Sequence, residues 1–265
     1  MILVDAHVHL HRCFSPEHFL NAAADNVAAA ARGMGLPAST PGMLLFTHAA
    51  GDDAFGGLRT GSVGHWSLSA TQEPISMRAH RDEAPPLTLV AGRQIATAEG
   101  LEVLALGAAG PFADHEPMET TIDAVRAQDG IPVLPWGFGK WWRRRGAIVQ
   151  RLAADRARFP LLFLGDSAGR PRIAPRPRLL AQAERLGRAV LPGTDPLPIS
   201  GEENKAGRLI FRVERELDTE RPFADLMHWL KHRDISPPAF GVYEGTRTFI
   251  RRQIEMQLRK RWPAK

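Results

Sequence analysis

Cysteine is almost absent from this 265-residue chain, where Cys13 stands alone. A single thiol excludes an internal disulfide and any zinc site built from several thiolates. Its expected place is that of a small buried residue. Lysine is scarce as well, limited to Lys140, Lys205, Lys231, Lys260 and Lys265, so arginine carries most of the basic excess. The formal net charge of +5 is small for the length and scattered along the chain. A nucleic-acid surface needs a denser basic patch, and a small anionic substrate suits this charge better. No apolar run is long enough to span a bilayer, and no charged leader precedes an apolar core. The expectation is a cytoplasmic protein with no membrane partner. Internal repeats and low-complexity linkers are lacking too.

What is present begins at residue 4. Val4-Asp5-Ala6-His7-Val8-His9-Leu10-His11 alternates polar and apolar side chains with the period of a β-strand. Asp5, His7 and His9 are expected on one face, and Val4, Ala6 and Val8 on the other. A carboxylate and two imidazoles delivered to one point form a donor set for a divalent metal.

Length and a hydrophobic content of 44% suit one α/β domain over residues 1–265. Met1–His9 reads as the first strand. Ser15 as N-cap and Pro16 at the first helical position start a helix that runs to about Arg32. Met43–Thr47, His65–Gln72, Ser76–His80, Leu87–Ile95 and Leu101–Leu106 read as further strands. A helix over Glu119–Gln128 stops at Gly130. Then strands at Ile131–Leu134, Leu161–Gly165 and Ala189–Leu191 alternate with helices at Trp141–Arg158 and Arg178–Leu186. Such alternation predicts a parallel sheet whose closed form is a barrel, with its site at the C-terminal strand ends. Asp5–His9, His48, Glu99, Asp166 and Asp195 all fall at such ends. The Pro- and Arg-rich segment Gly169–Arg178 reads as a loop near the site. A basic helix over about 244–262 carries Ile250, Ile254 and Leu258 at helical spacing, expected to pack on the barrel with its arginines in solvent.

His-x-His at the end of a first strand resembles the amidohydrolases and the PHP (polymerase and histidinol phosphatase) family of metal-dependent hydrolases. The PHP resemblance runs further. The segment Gly92–Gly107, with Val103-Leu104-Ala105-Leu106-Gly107, looks like the family's strand, turn and following hydrophobic motif, a region that supplies a glutamate ligand. The stretch Asp123–Leu134 resembles the next helix and strand. Leu191-Pro192-Gly193-Thr194-Asp195 resembles the closing strand end, whose aspartate binds metal. This implies a distorted TIM-like (β/α)7 barrel with parallel strands. The chain also departs from the pattern. Leu134-Pro135-Trp136-Gly137 replaces Ala-His-Pro, Asp195-Pro196-Leu197 replaces Asp-x-His, and Thr47-His48 is what remains of Thr-Asp-His.

The matching positions give His7, His9, Glu99 and Asp195 as metal ligands, with His48 and Asp5 as further candidates. The set suits one divalent ion of zinc, manganese or iron, or two with Asp5 or Asp166. A carboxylate beside the ion, Asp195 or Asp166, is the candidate proton acceptor for an attacking water. Lys140, Arg143 and Arg170 are candidates for binding an anionic substrate group. Lys140 has a second reading as a carbamylated bridging ligand. Trp136, Trp141 and Trp142 are candidates for an aromatic wall. Ser200-Gly201-Glu202-Glu203 reads as a capping box whose helix N-terminus faces an anion. The functional expectation is a hydrolase of a small phosphoester. The alternatives are an amidohydrolase-type C–N or lactone hydrolase, and a non-catalytic binding module on a degenerate barrel.

Overall fold

The structure, a computed structural model, describes residues 1–59 and 61–261, and the side chains up to 258. Two mixed sheets enclose a shared apolar core, with helices outside them. The chain begins with β1 (Ile2–Val8), α1 (Pro16–Gly33) and β2 (Gly42–Phe46), then α2 (Ala54–Leu58). A meander follows: β3 (Ser62–Val63), β4 (Trp66–Ala70), β5 (Ser76–His80) and β6 (Leu87–Val90). The second sheet is built from β7 (Gly92–Ala96), β8 (Glu102–Leu106), β9 (Ile131–Pro135), β10 (Phe163–Ser167) and β11 (Val190–Gly193). Between these strands run α3 (Met118–Ala127), α4 (Arg144–Ala154) and α5 (Arg178–Arg185). The chain returns to the first sheet with β12 (Leu209–Val213), α6 (Pro222–Lys231) and β13 (Ala239–Gly241), and ends in α7 (Thr246–Arg261).

The first sheet has the order β13-β12-β1-β2-β6-β5-β4-β3 and the second β11-β10-β9-β8-β7. β1, β2 and β6 run parallel, as do β9, β10 and β11. The other pairings are antiparallel. The fold is therefore mixed α/β, and the ladders do not close into the all-parallel barrel expected from the sequence. Short connections are the reason. Strands joined by a few residues, such as β7 and β8, can only fold back on each other.

The apolar run Leu87–Ile95 divides at Ala91, and its halves belong to different sheets. Gly92 permits the crossing, because a Cβ there would stand 2.3 Å from the Phe46 carbonyl oxygen and 2.6 Å from that of Ala105. At this seam His48 and Arg93 form an isolated bridge.

Apolar side chains divide into three cores. Between the sheets lie Val4, Ala6, Leu45, Leu106, Val133, Phe163, Leu191 and Phe211. Outside the first sheet, α1 packs Phe19, Leu20, Ala23 and Val27 against Leu3, Leu44 and Phe46. Outside the second, Ile122, Val149 and Leu180 from α3, α4 and α5 cover Val103, Leu134 and Leu164. Val8 belongs to the α1 side, not to the face of Val4 and Ala6 as strict alternation predicts. The β1–β2 register shifts between Asp5 and Val8, which turns the strand over just where the histidines begin.

Several local expectations change. The helix expected over Trp141–Arg158 is confined to α4, and Arg143 before it is left-handed at φ 54°. The capping box is replaced by a 3-10 turn over Glu202–Lys205 in which Glu203 accepts from the Gly201 N–H. A helix dipole for an anion is absent at so short a turn. α7 forms, but Ile250, Ile254 and Leu258 are 52%, 57% and 48% exposed, so that stripe does not pack on the body. The expected end at 262 lies outside the described residues. Cys13 is exposed rather than buried. Among the described residues no helix is long and apolar enough to cross a membrane.

Candidate metal centre

β1, β2, β7, β9, β10 and β11 all point their C-terminal ends to one side of the molecule. There His7 Nε2 and His9 Nε2 stand 3.0 Å apart. Asp195 Oδ1 lies 3.5 Å from the first and 3.6 Å from the second. These atoms form the only group of three or more metal-capable side chains among the described residues. A tetrahedral ion with bonds of about 2.0–2.2 Å spaces its ligands by roughly 3.3–3.6 Å. The two Asp195 spacings match this, and the imidazoles at 3.0 Å need to part by a few tenths of an ångström to receive a divalent ion. Two imidazole nitrogens and one carboxylate oxygen are a borderline-soft set that suits zinc, manganese or iron(II).

Backbone contacts hold the three ligands together. The Asp195 N–H donates to the His7 carbonyl at 2.7 Å. Asp195 is left-handed at φ 53°, a conformation costly for a non-glycine residue and tolerated best by Asp or Asn. Gly193 just before it lies so close to β1 that a Cβ would meet His7 Cβ at 2.4 Å. Asp5 is fully buried beneath. Its carboxylate accepts from the N–H groups of His7, Thr194 and Gly207 and from the Thr194 hydroxyl. It ties β1 to β11 and to the turn before β12. Burial pushes its carboxyl up to about 7 against the pull of these bonds. Asp5 is thus a strut rather than a ligand.

Burial favours the neutral form of His9 and His11. Burial holds His9 well below its usual range, and neighbouring His7 adds to this against the opposing pull of Asp195. Burial also lowers His11, which stacks on His9 with ring centres 5.0 Å apart and bonds Pro196 O through Nε2. For Asp195 burial acts upward, but His7, His9, Lys140 and the Ser167 hydroxyl outweigh it and hold the carboxyl below its usual value.

The other expected site residues part company with this cluster. Glu99 turns to α3, where both oxygens accept from the Met118 N–H at 3.1 and 3.0 Å. His48, just past β2, is buried and stacked on Phe46 with its Nε2 unpartnered. It lies near enough to act on His9 and His11 but is not in the three-residue group. Burial lowers its pKa to about 4. Asp166 is no free base, because Arg170 grips it through Nε at 3.1 Å and Nη2 at 3.0 Å and the Tyr243 hydroxyl donates at 2.9 Å. Arg170 is consumed in that pair and buried, so it is not offered to a substrate. Arg143 is exposed on the loop before α4. Lys140 pairs with Glu102 and is close enough to stabilise the Asp195 charge. The three tryptophans do not form the expected aromatic wall, since Trp136 and Trp141 pack with the helix-side core and Trp142 is 62% exposed.

The centre also holds residues that the sequence reading passed over. Gln94 Oε1 is 3.3 Å from His7 Nε2, and the Thr47 hydroxyl is 3.4 Å from His9 Nε2. Ser167 donates to Asp195 Oδ2 at 3.1 Å. Each is neutral, so a search for charge does not find it. Position was a signal for Thr47 and Ser167, which stand at strand ends, but not for Gln94 in the middle of β7.

No family model matches the chain, and no curated protein matches it in sequence. Solved structures are similar to the chain. One of them is described as the crystal structure of PsfC from Pseudomonas syringae PB-5123, and it is 17% identical with a TM-score of 0.57. The match covers 96% of this chain and 97% of that one. The likeness extends over the whole fold, and at this identity it speaks for the fold alone.

Proposed function

We propose that this protein is a metal-dependent hydrolase acting on a small anionic substrate, a phosphoester ahead of an amide or lactone. The observation that carries the reading is the convergence of His7 Nε2, His9 Nε2 and Asp195 Oδ1 at ligand spacing. Those three atoms would hold the ion. A bound ion of this kind supplies a water strongly acidified, to about 7, and polarises the oxygen under attack. The protein's own groups do the rest. Neutral His9 keeps its lone pair free at neutral pH. Asp195 stays ionised and is the one carboxylate of the cluster. Lys140 brings positive charge to the same end of the fold, where an anionic group would dock.

The PHP resemblance belongs to this proposal as well. The strand ends that carry His7, His9 and Asp195 are those the resemblance implies, although the sheets here stay open. One ion suits the donor set better than two, because Asp5, Glu99 and Asp166 are engaged elsewhere and His48 is not in the three-residue group. That reduction favours a second reading, a binding module that keeps the centre without turnover.

The test is to load the protein with zinc, manganese or iron(II) and assay p-nitrophenyl phosphate and a panel of phosphoesters, amides and lactones. Metal-dependent turnover that disappears in His7→Ala and His9→Ala supports the hydrolase. Metal uptake without turnover on any of them supports the binding module. Turnover that survives both substitutions would refute the assignment.

A further inference from the structure

We infer that a hydrogen-bond chain from the C-terminal segment, Tyr243–Asp166–Ser167–Asp195, sets which oxygen of Asp195 faces the ion, with Ser167 and Tyr243 as positioning residues. The inference rests on the metal-centre reading above and goes beyond it to residues that touch no substrate.

The chain can be followed atom by atom. The two Asp195 oxygens have different partners. Oδ1 faces the imidazoles at 3.5 and 3.6 Å, while Oδ2 accepts from the Ser167 hydroxyl at 3.1 Å. That hydroxyl has one proton to give. Its oxygen already accepts from the Gly169 N–H at 3.1 Å, so the proton is directed to Asp195. Ser167 is buried, and its backbone N–H donates to Asp166 Oδ1 at 3.0 Å. Asp166 is locked in turn by Arg170 and by the Tyr243 hydroxyl at 2.9 Å. The Arg170 guanidinium also lies 4.1 Å from the centre of the Tyr243 ring.

Tyr243 does not stand alone. The next residue, Glu244, donates its N–H to Ala168 O at 2.9 Å and Arg170 O at 3.1 Å, and accepts from Arg172 N–H at 2.8 Å. Its carboxylate pairs with Lys205. Further on, Phe249 of α7 packs on Phe138 of the β9–α4 loop, ring centres 5.2 Å apart. The C-terminal segment is thus stitched across the loop that carries Ser167. This arrangement also explains why the sequence places Asp166 and Arg170 beside the site although neither reaches it. Partners of this outer kind orient a ligating carboxylate, and losing one typically costs about 10–100-fold in metal affinity.

The experiment is a competitive chelator titration of full-length protein with zinc, and with cobalt(II) as a spectroscopic probe. Ser167→Ala is expected to weaken zinc binding by about 10–100-fold and to shift the visible cobalt band, because Asp195 then swings between its two oxygens. Tyr243→Phe keeps the ring beneath Arg170 and so guards against simple misfolding. It is expected to move affinity and spectrum in the same direction by less. Unchanged zinc affinity and an unchanged cobalt spectrum in both variants, with binding lost in His9→Ala, would overturn the chain and leave the centre standing. A parent protein that binds neither ion would overturn both.

Discussion

Gly193→Ala puts the construction of the centre under direct strain. Gly193 has no left-handed φ, so alanine fits its backbone and the effect is purely one of space. The new Cβ would stand 2.4 Å from His7 Cβ, 2.5 Å from His7 N and 2.9 Å from His7 Cα. Carbon contacts are comfortable from about 3.5 Å, so β11 must retreat from β1 by about 1 Å. Two costs add. Overpacking of this kind costs about 1–3 kcal/mol. The 2.7 Å bond from Asp195 N–H to His7 O is strained or lost, at about 1 kcal/mol. The sum is about 2–4 kcal/mol, a drop in melting temperature of roughly 5–15 °C for a chain of this size. The same retreat carries Asp195 Oδ1 away from the two imidazoles, so metal affinity falls with stability. Calorimetry and a chelator titration read the two effects. Gly33→Ala is the control, since nothing lies within 4 Å of its Cβ position, and it should stabilise by about 0.4–1 kcal/mol. A Gly193→Ala protein that melts within about 1 °C of the parent and binds metal as the parent does would refute the reasoning.

Two further outcomes follow from residues outside the centre. Glu99→Ala leaves the first N–H of α3 without its carboxylate. It should cost about 0.5–2 kcal/mol by denaturant titration and leave the bound metal unchanged, whereas metal loss would return Glu99 to the ligand set. Glu184 is raised by burial but lowered further by hydrogen bonds from Arg176 and Ser236, so its folded pKa lies below the ordinary 4.5. A depressed carboxyl adds stability above its unfolded pKa and loses it as pH falls through the folded value. Arg176→Gln should therefore destabilise by less than about 1 kcal/mol at pH 7, with the gap closing below the ordinary value. A gap that widens on acidification would contradict this.

The opening strand was legible because a polar–apolar alternation ending in two histidines has few other uses, and Asp195 because it follows a short apolar strand and a glycine. The closed barrel was not. Nothing in Leu87–Ile95 marks the point where one sheet ends and the next begins, and Gly92 carries that information only through the strands that press on it. Glu99 misleads because a turn carboxylate looks the same whether it binds a metal or an N–H group. Asp166 and Arg170 lie beside the site as read, but their role depends on Tyr243, distant in sequence and brought in by the C-terminal segment. The stripe Ile250, Ile254 and Leu258 shows the limit of periodicity, which foretells a helix but not which face meets the body.

The central claim is that His7, His9 and Asp195 hold a divalent ion. Elemental analysis of purified protein, after brief incubation with zinc, manganese or iron(II) and removal of the excess, tests it most directly. About one ion per chain is expected, lost in His9→Ala and retained in Glu99→Ala. Parent protein that stays free of all three metals would contradict it.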